Sequence, residues 1–101
     1  MDWYSMTNAR IELEIGLRIK NNRIKRNLTQ LELANKVGIS RVAISKIERG
    51  KGVTLSSLIG ILRMLGLLQN IEYLFPEDEI SPIEVIKLKG KKRKRASTKK
   101  K

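Results

Sequence analysis

The sequence predicts an all-α fold of five helices, followed by a basic tail that is expected to be disordered. In several stretches apolar residues recur every three or four positions, the period of a helix packed on one side. A Ser or Thr suited to cap a helix precedes most of these stretches, and Gly or Pro follows most of them. The 101 residues are enough for one small domain with a modest core.

The first helix is predicted from Thr7 to about Asn27, with Thr7 or Asn8 as its N-cap. Asn22 follows Ile19 by three residues, which has two interpretations: a hydrogen-bonded core Asn, or a helix that is rotated. The residues expected to face inward are Ile11, Ile15, Ile19 and Leu28. The basic residues expected to face solvent or phosphate are Arg18, Lys20, Lys25 and Arg26.

Two short helices are predicted next, at about Gln30–Val37 and Arg41–Arg49. Thr29 and Glu32 form a capping box for the first of them, and Ser40 caps the second. The residues expected to face inward are Leu31, Ala34 and Val37, then Ile44 and Ile47. The residues left on the outward face of the second helix are Arg41, Val42, Ser45, Lys46 and Arg49.

The spacing within this pair of helices is demanding. Small Ala34 suits a close crossing, and Gly38, four residues later, supplies a turn with positive φ. Ile44 and Ile47 follow the glycine by six and nine residues. Together these features indicate a helix-turn-helix, the arrangement that places a second helix in the DNA major groove. The alternative is an ordinary corner between two helices with no nucleic acid.

Two more helices complete the predicted domain. Thr54 caps Leu55–Leu65, and Gly66 stops it. Gly60 inside this helix costs about 1 kcal/mol relative to Ala, so close packing is the expected reason for it. The residues expected in the core are Leu55, Leu58, Ile61, Leu62 and Leu65. Leu68–Phe75 forms the fifth helix, made apolar by Ile71, Tyr73, Leu74 and Phe75, and Pro76 ends it.

The predicted organisation is an arm over residues 1–6, a helix-turn-helix domain over 7–76, a connector with a short docking segment over 77–88, and a tail over 89–101. In the arm, Trp3 and Tyr4 either cover a neighbouring apolar patch or form a dimer contact. Within 77–88, Ser81-Pro82-Ile83-Glu84 is a helix-start signal. The turn it begins is too short to be stable alone, and is expected to dock on its own domain or on a partner.

Composition excludes several classes of function. The absence of Cys removes disulfides and thiolate metal sites, and the absence of His removes the commonest general base and metal ligand. No catalytic, cofactor or metal site is predicted, and the protein is not expected to be an enzyme. No apolar run approaches a membrane span and no signal peptide opens the sequence, so a cytoplasmic protein without membrane contact is expected.

The charge is strongly positive and unevenly distributed. The net charge is +12, with +10 in residues 87–101 and +8 in residues 18–51, while the remainder is −6. Positive charge therefore concentrates on the helix-turn-helix and on the tail, as in proteins that bind polyanions. Few apolar residues accompany the basic ones after Lys89, which predicts disorder. That tail adds phosphate contacts or simply keeps the chain soluble.

The sequence closely resembles the Cro/phage-repressor (XRE) family of helix-turn-helix regulators over roughly residues 15–76. The residues that carry the resemblance are Gln30, Ala34, Gly38, Ile39, Ser40, Ile44, Ser45, Ile47 and Glu48. The resemblance implies a five-helix lambda-repressor-like domain whose fifth helix often carries the dimer contact; the alternative is that this helix closes the core, and both can hold on different faces. It also implies a homodimer that binds a palindromic operator on double-stranded DNA and represses transcription. A structural ion pair between Arg23 and Glu48 is expected from the same resemblance; the alternative is that both are solvated surface charges.

The DNA geometry assigns roles to the predicted surface. Arg41 suits a bidentate contact with guanine, and Val42 suits a thymine methyl group. Gln30 and Thr29, at the start of a helix, suit a phosphate. The full candidate set for DNA binding is Thr29, Gln30, Ser40, Arg41, Val42, Ser45, Lys46, Arg49 and Lys51.

Several alternatives remain open. The tail SPIEVIKLKGKKRKRAS is similar to that of small HipB-type antitoxins, whose partners are HipA-type toxin kinases. A restriction-modification controller protein or a phage repressor are the other DNA-binding alternatives. In a different class, a toxin-neutralising interaction module would use residues 80–90, with DNA binding secondary. RNA binding is disfavoured because the basic face has no stacking aromatics.

Overall fold

The computed structural model describes residues 1–75 and Glu77, and it confirms the all-α fold over that part of the chain. It contains two 3₁₀ turns, Trp3–Ser5 and Leu68–Asn70, and no strand. The α-helices are α1 (Asn8–Lys25), α2 (Gln30–Val37), α3 (Arg41–Glu48), α4 (Leu55–Met64) and α5 (Ile71–Leu74). The predicted docking segment and basic tail lie outside the described residues.

All four predicted caps start their helices. The hydroxyls of Thr7, Thr29, Ser40 and Thr54 each accept a hydrogen bond from the backbone N–H three residues later, at 3.0–3.1 Å. Gly38 ends α2 with a φ of +87°, which a residue with a Cβ rarely adopts. The observed helix ends fall one or two residues before the predicted ones at Lys25, Glu48 and Met64.

The core lies where α3 packs on α1 and α2, and α2 on α4. It consists of Ile19, Leu33, Ala34, Ile44, Ile47, Ile61 and Leu65. All but Leu33 were expected from the apolar periodicity. Small Ala34 is buried in this core, and a Cβ on Gly60 would lie 3.0 Å from Val37 Cγ1. Close packing of α4 on α2 therefore accounts for Gly60, as predicted.

Three residues expected in the core are exposed. Leu31 is 55% exposed, because at roughly 100° per residue it lies about 110° from the centre of the arc formed by Leu33, Ala34 and Val37. Leu55 is 71% exposed, because it is the first residue of α4 and precedes the turns that pack on α2. Ile15 is also exposed and borders an open groove between α1 and α4.

The predicted fifth helix, Leu68–Phe75, is divided in the structure. Its first half is the 3₁₀ turn Leu68–Asn70, closed by a hydrogen bond from Asn70 N–H to the Leu67 carbonyl at 3.0 Å. Such tighter turns commonly connect elements over a few residues. The chain divides into two compact units between Asn70 and Ile71, so α5 is the first element of the second unit.

The arm folds back along α1. The Arg18 guanidinium lies 5.0 Å from the centre of the Trp3 ring and also pairs with Glu14 at 2.9 Å. Trp3 therefore has a partner within its own domain, whereas the Tyr4 side chain is exposed. Arg18 is held by these contacts on the side of α1 and is not simply directed at solvent.

Asn22 is half-buried at the edge of the α1–α4 groove. Its amide donates to the Arg18 carbonyl at 2.8 Å, and its side-chain oxygen accepts from Arg26 at 3.0 Å. These bonds run along α1 itself. The buried face of α1 is formed by Gly16, Ile19 and Arg23. Asn22 lies beside that face, at the edge of the groove, and is not a core residue.

Candidate nucleic-acid interface

One face of α3 is open to solvent and carries the predicted base-reading side chains. Arg41, Val42 and Lys46 are exposed, and Ser45 is half-buried. The opposite face is fixed by Ile44 and Ile47, which are buried in the core. Burial of one stripe thus determines which side chains project outward, and the projecting set is the predicted one.

An ion pair between Arg23 and Glu48 joins α1 to the last residue of α3. Arg23 Nε donates to Glu48 Oε2 at 2.6 Å, and Arg23 Nη2 donates to Glu48 Oε1 at 3.0 Å. A third donor, Arg23 Nη1, reaches the Leu28 carbonyl at 2.7 Å. Both residues are buried, with 8% of each exposed. The bidentate geometry suits a planar guanidinium and fixes the orientation of α3 relative to α1.

Gln30 extends this pair to the start of α3. Its Nε2 donates to Glu48 Oε1 at 3.1 Å, and its Oε1 accepts from Arg41 Nη1 at 3.3 Å. Only this orientation of the amide gives the carboxylate a donor and the guanidinium an acceptor. The sequence pattern assigned Gln30 to a phosphate, and its contact with the buried carboxylate could not be foreseen from that pattern.

Thr29 and Ser40 lie at the ends of the two helices that form the motif. The hydroxyl of each is occupied as a helix cap, and each residue is exposed. Both therefore hold α2 and α3 in place and leave the helix N-termini open to solvent. An exposed helix N-terminus favours an anion through its free N–H groups and its dipole.

Basic side chains continue past the end of α3. Arg49 and Lys51 are both exposed, and Arg49 Nε donates to the Ser45 carbonyl at 3.3 Å. The two acids among residues 18–51 are both engaged: Glu48 is buried in its ion pair, and Glu32 is in the capping box. The surface of the motif is therefore electropositive, as a phosphate-binding surface requires.

Glu32 is the acid whose titration the fold changes. The backbone N–H of Thr29, and then its hydroxyl, hold the pKa of Glu32 below its usual value of 4.5. A lowered folded-state pKa stabilises the fold above the unfolded-state pKa, and that contribution is lost as pH falls through the folded-state value.

Glu32→Gln is therefore expected to lower the melting temperature slightly at pH 7, with the difference shrinking below pH 4.5. Thermal melts of both proteins across this range check it, and a difference independent of pH would contradict it.

Gly16 is a positioning residue that the sequence pattern did not single out. A Cβ at this position would lie 2.6 Å from the Ile47 carbonyl oxygen and 2.7 Å from the Glu48 carbonyl oxygen. The backbone of α1 therefore passes directly against the end of α3, beside the ion pair. The available signal was a glycine in the interior of a long helix, which is unfavourable unless close packing requires it.

The fold and this surface together define a DNA-binding helix-turn-helix protein. A family model described as Helix-turn-helix matches residues 19–68, and this match supports an XRE-type helix-turn-helix in that segment. Members of this class are DNA-binding transcription regulators. No curated protein matches the chain. Among the residues that the structure describes, none of the helices is long and apolar enough to cross a membrane.

Proposed function

We propose that the protein is a sequence-specific transcription regulator that binds double-stranded DNA with α3 in the major groove. The observation that carries this proposal is the exposed Arg41–Val42–Lys46 face of a helix whose other face and both ends are fixed. A helix of this kind presents its N-terminal side chains to base edges.

Arg41 is the proposed reader of guanine. A guanidinium carries five N–H donors, and only one of them is used on Gln30, so a bidentate contact with O6 and N7 remains open. Val42, next along the helix, would contact a thymine methyl group. Ser45 and Lys46 occupy the following outward positions, for a base or a phosphate.

Gln30 is proposed to serve two purposes in the complex. Its Oε1 holds Arg41 near the groove, while the second N–H of its amide is available for a phosphate. At Thr29 and Ser40 the N-termini of α2 and α3 would face the phosphate backbone of the DNA. Arg49 and Lys51 would add positive charge beyond the end of α3. These contacts would fix the register of the protein on DNA without reading sequence.

A homodimer on a palindromic operator is proposed because one such domain reads too few bases for tight binding. Two copies would contact half-sites about 34 Å apart, one helical turn of DNA. Blocking a promoter in this way would repress transcription in the cytoplasm. The antitoxin role, with a HipA-type kinase as partner, is supported by the tail sequence alone, which lies outside the described residues.

The direct test is selection of bound duplexes from a random library at physiological salt, followed by sequencing. Enrichment of a palindrome is expected, and its half-site spacing would give the dimer geometry. Salt-sensitive retention without enrichment would contradict sequence-specific binding. In that case a variant lacking residues 80–101 would test partner binding, because the toxin-neutralising alternative places its working surface there.

Arg41→Ala is expected to relax the base preference at one operator position and to weaken specific binding by about 1–3 kcal/mol, roughly 5- to 150-fold. The reason is loss of one bidentate base contact with the phosphate contacts retained. Repeating the selection with the variant, and titrating specific and random duplexes, measures both effects.

Arg63→Ala is the matched control, because it removes an exposed guanidinium from the last turn of α4, outside the motif. It should leave the selected sequence unchanged. If Arg41→Ala weakened specific and random DNA equally, Arg41 would be a phosphate contact and the proposed role would be incorrect.

A further inference from the structure

The helix α1 presents a second apolar face, which is open to solvent and is not used by the core. Its 18 residues begin 11 residues before the segment matched by the family model. We call Leu13, Leu17 and Ile24 the outward stripe; their exposed fractions are 49%, 47% and 51%. This stripe is separate from Gly16, Ile19 and Arg23, the buried residues of the same helix.

The spacing of the outward stripe is that of a helix–helix seam. Leu17 follows Leu13 by four residues, and Ile24 follows Leu17 by seven, so at roughly 100° per residue the three lie within about 40° of one line. Lys20 occupies the intervening seam position. Heptad spacing of this kind is what a helix presents to a second helix along its length.

Charge along α1 selects the direction in which a second copy would lie. The N-terminal half carries the acids Glu12 and Glu14, with Arg10. The C-terminal half carries no acid and has exposed Lys20 and Lys25. Parallel copies would place like charges together, whereas antiparallel copies place the acidic half of each against the basic half of the other.

We propose that a second copy of the chain packs antiparallel on the outward stripe, with Leu13 of each copy against Ile24 of the other. In this register Leu17 meets Lys20 of the second copy, whose methylene stem covers the leucine while its ammonium reaches solvent. Glu14, beside the stripe, falls near Lys25 of the second copy. The inference rests on the proposed dimer and deepens it by assigning the interface to α1.

Cysteine pairing tests the register directly, because the natural chain has no Cys. Leu13→Cys and Ile24→Cys proteins, mixed without DNA under mild oxidation, should form a disulfide-linked dimer. Each variant alone should not, since copies of one position would be separated along the helix by about 16 Å at 1.5 Å per residue. A disulfide requires Cα atoms within about 7 Å.

The other outcomes overturn the proposal. Cross-linking of each variant with itself would show parallel packing, and cross-linking in neither the mixture nor the single samples would show that α1 is not the interface. Leu31→Cys mixed with Leu55→Cys is the control, because these leucines are exposed on other helices. It should give no dimer. The cross-linking experiment contains no DNA, so its result can be interpreted even if the protein does not recognise an operator.

Charge substitution provides a second measurement that does not depend on oxidation. Leu17→Lys would face Lys20 of the second copy and is expected to make the protein monomeric in sedimentation equilibrium over a concentration series. Leu17→Glu would face the same lysine with opposite charge and should weaken the dimer less. Leu31→Lys is the control and should leave the mass unchanged. Equal masses for Leu17→Lys and the natural protein, with circular dichroism unchanged, would overturn the assignment.

Discussion

Glu48→Ala is expected to lower the free energy of unfolding by about 3–5 kcal/mol, the usual cost of removing one partner from a buried ion pair. The variant would leave the Arg23 guanidinium buried with its Leu28 carbonyl contact alone. It would also remove the acceptor for Gln30 Nε2. Since small domains have about 5–15 kcal/mol of stability, this loss is a large part of the total. The melting temperature should fall by more than 10 °C, at roughly 4–8 °C per kcal/mol, and thermal melts measure this change.

Glu14→Ala is the matched control, because it breaks a pair that water reaches: the side chains of Arg18 and Glu14 are 55% and 20% exposed. Exposed pairs contribute about 0–1 kcal/mol, so its melting temperature should change little. The double variant Arg23→Met/Glu48→Leu should be more stable than Glu48→Ala, because it removes both buried charges together. Similar melting temperatures for Glu48→Ala and Glu14→Ala would contradict a stabilising role for the buried pair.

The parts of the fold that depend on neighbouring residues were predictable from the sequence. The Thr7, Thr29, Ser40 and Thr54 caps act over three residues, and the turn at Gly38 depends on its own φ. Each of these signals is satisfied within one turn of the chain. They therefore located the starts of α2, α3 and α4 to the residue, and that of α1 to within one residue.

The parts of the fold that depend on residues distant in sequence were not predictable from the sequence. The periodicity predicted that Leu31 points inward, and this was wrong: Leu33 is buried instead, because the positions of α3 and α4 decide which leucine is covered. Ile15 follows the apolar period of α1 but lies at an open groove. A period identifies a face, whereas burial requires another element opposite it.

The candidate nucleic-acid interface likewise has parts that local sequence predicts and parts that it does not. The outward residues of α3 follow from the inward placement of Ile44 and Ile47, so they were predictable. The Arg23–Glu48 pair spans 25 residues and was expected from family resemblance, not from spacing. The second contact of Gln30 needed the three-dimensional structure, because no local pattern indicates that a surface amide reaches a buried carboxylate.

Gly16→Ala is expected to destabilise the domain by about 1–3 kcal/mol, the range for overpacking a close contact. In an ordinary helix interior the same change stabilises by about 1 kcal/mol, so the sign itself is informative. The added Cβ would meet backbone atoms of Ile47 and Glu48 at 2.6–2.9 Å, and backbone cannot rotate away as a side chain can. Denaturant unfolding of the variant measures the loss.

Gly60→Ala is the control that separates this contact from a general effect of helix glycines. Its Cβ would approach only the Val37 side chain, at 3.0 Å, which a small shift of that side chain relieves. Gain of helix propensity then offsets the contact, and the change in stability should be smaller than for Gly16→Ala. If Gly16→Ala stabilised the domain, the close passage of α1 against α3 would be incorrect. Because the clash falls at the backbone of Glu48, at the end of α3, Gly16→Ala should also lower sequence selectivity, which the duplex selection would detect in the folded variant.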